Sequence, residues 1–282
     1  MEGIDLNSTG SNSDAGILRR PQSVMFSFFG IYLRGQSTAI YSGSIIEAFA
    51  RVNISIEAVR STLTRMVKRD LLCRHRHGRK MYFSATERGT KILNDGYSRI
   101  WKSGAVNRDW DGQWTAVAFS LPNESRHERH DLRSRLVWAG FGLLQPGLWI
   151  APGVVNIEAS IEEAGLSSYV SVMTARPVPP TQALELVTRA FDLDSIADRY
   201  NGFLQRWDSS NPWIEWPDDL ARQLLLHTDW LQVVRQSPLL PADYLPSGWP
   251  AFRAEYVFQS LAQKFEPEAD AIAASLFDTI SL

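Results

Sequence analysis

Residues 72–83 read LCRHRHGRKMYF and put Arg74, His75, Arg76, His77, Arg79 and Lys80 between two apolar ends. Cations at this density have an obvious use in water, which is to pair with the phosphates of a polyanion. Just upstream, IEAVRSTLTRMVKRD spaces Val59, Leu63, Met66 and Val67 as one face of a helix. Its other positions carry Arg60, Ser61, Thr62, Thr64, Arg65, Lys68 and Arg69, and Ser55 precedes it as an N-cap. Guanidinium and hydroxyl groups on a helix can reach base edges in the major groove, while lysine and arginine at its end can hold phosphates. Together these residues form a candidate DNA-binding surface. A solvated basic face without a partner is the alternative. Only Glu57 and Asp70 are near enough in sequence to neutralise it.

Other reactive side chains give weaker patterns. His127, Glu128 and His130 invite comparison with a zinc peptidase helix, but that motif needs its histidines at i and i+4, and here they stand at i and i+3. His75 and His77 have only one thiol nearby, Cys73, and no flanking acid, so a metal site is not expected. His227 lies in an otherwise apolar helical stretch and reads as a core residue. Asp109 and Asp111 flank Trp110 and read as turn or cap residues. There is no G-x-S-x-G, Walker loop or dinucleotide glycine fingerprint. No catalytic residue, metal or cofactor is therefore expected.

The positioning elements follow from periodicity. A dense apolar helix runs after Pro21, a second over YSGSIIEAFARV, and a third over residues 56–70. A hairpin turns at Gly78, and a further helix starts at Thr86. This is the order of a winged helix-turn-helix, expected over residues 19–104 after a disordered tail at 1–18. From about 105 to 179 strands and helices alternate, which predicts an α+β domain with a small sheet and a ferredoxin-like arrangement. Residues 180–282 read as a helical C-terminal domain.

Charge divides the same way. Residues 1–104 hold 16 Lys and Arg against 8 Asp and Glu, and the remainder 13 against 23, within a net charge of −2. The polyanion partner thus belongs to the first part. Cys73 is the only cysteine, so no internal disulfide is possible and a cytoplasmic location is expected. No apolar run is long enough to span a membrane. Of 10 tryptophans, nine lie from Trp110 onward. They read as core anchors, with Trp114, Trp149 and Trp230 as weak candidates for a ligand pocket between the middle and last domains.

From about Pro21 to Phe277 the chain resembles the PaaX family of bacterial transcriptional repressors. The blocks that carry the resemblance are FSFFGIYL, AVRSTLTRMVKRDLL, RHGRKMYFSATERG, WDGQWTAVAFSLP, LRSRLVWAGFGLLQPGLWIAP and SPLLPADYLPSGWPAFRAEYVF. The resemblance implies a Cas2-like middle domain and a homodimer on a palindromic double-stranded DNA operator of an aromatic-compound catabolic operon. It also implies release by an aryl-acyl-CoA effector such as phenylacetyl-CoA. Cas2 proteins carry a metal-binding aspartate near the end of their first strand, which opens a metal-dependent nuclease or hydrolase as the alternative. The matching strand here ends Phe119-Ser120-Leu121-Pro122, without an acid.

Overall fold

The computed structural model describes residues 20–101, 104–122, 124–208 and 216–282; the expected tail at 1–18 lies outside them. The first part runs α1 (Pro21–Tyr32), β1 (Thr38–Tyr41), α2 (Ser42–Ala50), α3 (Ile56–Lys68), β2 (Leu72–His77), β3 (Lys80–Ala85) and α4 (Glu87–Trp101). Three helices and a hairpin packed on a short strand make a winged helix. Ser55 caps α3 by accepting from the Ala58 amide at 3.3 Å, an interaction worth about 1 kcal/mol.

The exit from α3 sets the direction of the wing. The Leu71 amide donates to the Met66 carbonyl at 2.9 Å and the Asp70 amide to the Val67 carbonyl at 3.0 Å, with Asp70 at φ 54°. This is a Schellman motif, closed by an aspartate where glycine is commoner. Thr86 then clamps the turn: its hydroxyl donates to the Asp70 carbonyl at 2.7 Å and accepts from the Gly89 amide at 2.9 Å. Gly89 must lack a side chain, because a Cβ there would overlap the Leu71 carbonyl oxygen.

The middle part contains β4 (Trp114–Phe119), α5 (Arg126–Trp138), β5 (Gly142–Gln145), β6 (Leu148–Pro152), α6 (Glu158–Glu163) and β7 (Val170–Ala175). Its sheet has the order β5-β6-β4-β7, with every pairing antiparallel. That βαββαβ topology is the ferredoxin-like one, as the alternating pattern predicts. Its own core gathers Val117, Leu132, Leu136, Phe141 and Trp149.

The last part is α7 (Ala183–Ala190), α8 (Leu193–Trp207), α9 (Asp219–Arg235), α10 (Pro250–Leu276) and β8 (Thr279–Ser281). Buried residues on both α9 and α10 belong to the same core cluster as those of α1 to α3. The Tyr32 hydroxyl donates to Gln223 Oε1 at 2.7 Å, Thr228 bonds Ser27 at 3.0 Å, and Arg51 pairs with Asp218 at 2.8 Å. Burial raises the Tyr32 phenol well above its ordinary pKa, and Asp270 and Asp218 push the same way.

One element is added to the expected helical ending. Strand β8 pairs with β1 (Thr38 with Ser281, Ile40 with Thr279), so the winged-helix sheet has the order β2-β3-β1-β8. Strand β8 thus closes the edge of the winged-helix sheet, and it is too short to show as periodicity. Among the described residues no helix is long and apolar enough to cross a membrane.

Candidate nucleic-acid interface

Helix α3 buries Val59, Thr62, Leu63 and Met66, the i, i+3, i+4, i+7 pattern of one face. Arg60, Ser61, Thr64, Arg65, Lys68 and Arg69 all lie on its exposed side. The Arg65 guanidinium is folded along the helix, donating to the Ser61 hydroxyl at 2.6 Å and to Thr62 Oγ1 at 3.0 Å. The Thr64 hydroxyl donates to the Arg60 carbonyl at 2.8 Å. Only Arg69, Asp70 and Leu71 separate α3 from the hairpin.

The wing hairpin runs in register from Leu72 opposite Ala85 to His77 opposite Lys80, with Gly78 at φ 62° in its two-residue turn. Alternation puts Arg74 and Arg76 on the face that carries Leu72 and Phe83, both of which pack with the helices. Arg79 sits at the exposed tip. Arg60, Arg65, Lys68, Arg69, Arg74, Arg76 and Arg79 have no carboxylate within 4.0 Å among the described residues. Cations left unpaired at this density attract a polyanion and repel one another without it.

Three of the expected DNA-binding residues are placed differently from the rest. Thr62 has 0% of its surface exposed, because it falls inside the α3 stripe, so its side chain cannot touch a base. Lys80 is engaged: its ammonium is 2.6 Å from Asp278 Oδ2 and lies over the Tyr41 ring at 4.9 Å. His75 is half-buried, its Nε2 2.8 Å from the Ser84 hydroxyl, on the face opposite Arg74. His77 is exposed on that same face as His75, and Ser55 is occupied as the α3 cap. Arg88 was not foreseen. Its guanidinium donates to the Arg69 carbonyl at 3.2 Å and adds a cation at the C-terminal end of α3.

The tryptophan candidates are core residues. Trp114, Trp149 and Trp230 are 1%, 6% and 0% exposed and belong to the hydrophobic clusters of the fold. His127, Glu128 and His130 all lie exposed on α5, and among the described residues no three His, Cys, Asp or Glu side chains gather as a metal site.

Asp278 ties the wing to the end of the chain. It takes the Lys80 ion pair and the Tyr82 hydroxyl at 3.1 Å, its backbone carbonyl accepts from Tyr41 at 2.9 Å, and its amide donates to Ser44 at 3.0 Å. The Lys80 hydrogen bond holds its carboxyl below the usual aspartate range. A lowered carboxyl pKa stabilises the ionised fold above the unfolded value of about 3.9 and loses that support as pH falls below it. We expect Asp278→Ala to free β8 at neutral pH. Hydrogen exchange at the Tyr41 amide should quicken at least about tenfold, while α9 amides keep their protection. Unchanged exchange would show that strand pairing alone holds β8.

The fold and this surface define a protein of the transcription-regulator type: a winged helix followed by a ferredoxin-like domain and a helical region that folds back on the winged helix. Comparison with known proteins gives the particular family. The model described as PaaX-like protein matches residues 20–89, that of the PaaX protein central Cas2-like domain matches 107–187, and that of the PaaX-like protein C-terminal domain matches 191–275. The chain therefore belongs to the PaaX family. It is 26% identical over 269 residues to the transcriptional repressor PaaX of Escherichia coli (strain K12), covering 91% of this chain and 84% of that protein. A solved structure of an uncharacterized protein from Mycobacterium tuberculosis shares the fold at TM-score 0.61 and 20% identity, covering 90% of this chain and 98% of that one.

Proposed function

We propose that the chain represses transcription of an aromatic-compound catabolic operon, and that an aryl-acyl-CoA such as phenylacetyl-CoA releases it. It binds a palindromic duplex operator as a homodimer, with α3 of each protomer in the major groove and the hairpin along neighbouring phosphates. The observation that carries this reading is the set of unpaired cations that α3 and the wing hold around one short turn. Membership of the PaaX family and the named E. coli repressor support it. For the dimer the supporting feature is β7, an edge strand exposed from Ser171 to Ala175, with Val172 and Met173 about half exposed. An exposed edge strand offers unpaired backbone groups on which another chain can add a strand.

The test begins with selection of binding sequences from a random duplex pool, followed by titration of the selected duplex at several salt concentrations. The expected result is an inverted repeat with half-sites about one turn apart and affinity that falls steeply with salt. Phenylacetyl-CoA then lowers operator affinity, while free coenzyme A does not. Binding without sequence preference would overturn the operator reading.

A further inference from the structure

Four helices from opposite ends of the chain enclose a cavity of about 480 Å³: α1 and α4 of the winged helix, with α9 and α10 of the last part. The size suits a small molecule. Two features show that the sequence keeps it open and chemically prepared.

The first is glycine. Gly30 and Gly96 lie inside α1 and α4, and both line the cavity. Glycine inside a helix costs about 1 kcal/mol relative to alanine. No tight packing requires it here. A Cβ on Gly30 would meet only Leu93 Cδ2 at 3.9 Å, and one on Gly96 only the Leu231 methyls at 3.9 Å. What the missing side chains leave is open volume.

The second is polar capacity without a partner. The Arg34 guanidinium sits 3.5 Å from the centre of the Tyr97 ring, and its buried Nε has no hydrogen-bond partner among the described residues. Arg235 stacks on Trp138 at 4.4 Å. Burial, then Arg99, lowers its pKa to about 10, so it remains a cation at neutral pH. Neither arginine has a carboxylate within 4.0 Å among the described residues. Of the acids on the wall, Asp95 is bonded to Arg99 at 3.3 Å and acts on Arg235 only from beyond ion-pair distance, and Glu266 is exposed to water. Burial lowers the His227 imidazole to about 4, so it is neutral, and its ring packs between Trp101 at 5.8 Å and Phe258 at 5.3 Å.

We propose that this cavity binds a small organic anion with a flat apolar body, Arg34 and Arg235 taking the anionic group and Trp101, Ile100 and Leu231 the body. The site stands on the cavity itself; its role as the effector site rests on the repressor reading above. The route to DNA is short. Helix α4 continues directly from wing strand β3, and α1 packs on α3, so a ligand wedged against α9 acts on both. It releases DNA only if it prefers the arrangement that DNA disfavours.

The experiment uses the full chain with phenylacetate, phenylacetyl-CoA and free coenzyme A. It reads thermal shift, tryptophan fluorescence and operator affinity on the same samples. Wild type is expected to gain stability with phenylacetate or phenylacetyl-CoA and not with coenzyme A alone. Gly96→Leu fills the cavity with a good helix former, so it is expected to melt at or above the wild-type temperature and to show no ligand shift. Arg34→Gln, which keeps the wall's shape, is expected to bind about tenfold more weakly, the size of one charge-assisted hydrogen bond. Equal shifts in wild type and both variants would overturn the cavity assignment and leave the effector reading intact. A cavity-dependent shift without change in operator affinity would keep the site and overturn its role as effector site. A wild type that binds none of the probes, or binds coenzyme A as well as the thioester, would overturn the ligand chemistry proposed here.

Discussion

Arg60→Ala combined with Arg65→Ala lowers affinity for the selected operator by on the order of 30-fold or more at physiological salt. Each base-reading arginine is worth about 1–3 kcal/mol, so two together reach that bound. The fold is expected to survive. Arg60 has no carboxylate partner, and Arg65 bonds only to Ser61 and Thr62 of its own helix. Replacing Arg74, Arg76 and Arg79 with alanine gives a different signature. Cations that hold phosphates carry no sequence information, so affinity for every duplex falls together. The slope of log affinity against log salt becomes shallower by about 0.9 for each phosphate no longer neutralised. Three such phosphates amount to on the order of 100-fold between 1 M and physiological salt. The two variant sets therefore separate reading from holding, by competition with a scrambled duplex and by a salt titration. Unchanged operator affinity in the Arg60/Arg65 variant would remove α3 from the groove.

What the sequence displays of this surface is what local chemistry determines. The α3 stripe, the Ser55 cap and the turn at Gly78 all depend on residues within a few positions of one another, and they appear in the structure where periodicity puts them. Thr62 misleads because its hydroxyl suggests a polar position. Its spacing from Val59 and Met66 puts it inside the stripe, and spacing outweighs a single hydroxyl that the neighbouring Arg65 can satisfy. The fate of Lys80 is not local. Its partner Asp278 is 198 residues away and arrives only because α10 carries the chain back to β1. The cavity is hidden for the same reason. Its walls come from helices at both ends of the chain, and Gly30 and Gly96 look in sequence like mild helix defects. Family resemblance identified the three parts, but it did not show that the last one closes over the first.

The largest stability effect is expected at Trp230. It is fully buried on α9 and stacks on Phe258 with ring centres 4.9 Å apart and planes 8° from parallel, while Phe203 approaches at 5.2 Å. Its indole nitrogen has no hydrogen-bond partner among the described residues, so packing positions the ring. Trp230→Ala removes that ring from a closed core and is expected to cost about 3–5 kcal/mol, read from urea unfolding by circular dichroism. Trp230→Phe keeps a stacking ring and breaks no hydrogen bond, so its cost should be well under half of that. Position matters as much as size. Phe258 packs against both Trp230 and His227, and His227 lines the cavity, so Trp230 stands behind the wall and does not face a ligand. The phenylalanine variant should accordingly keep the wild-type response to phenylacetyl-CoA. If Trp230→Phe instead unfolds like wild type but loses that response, the tryptophan belongs to the ligand and not to the core.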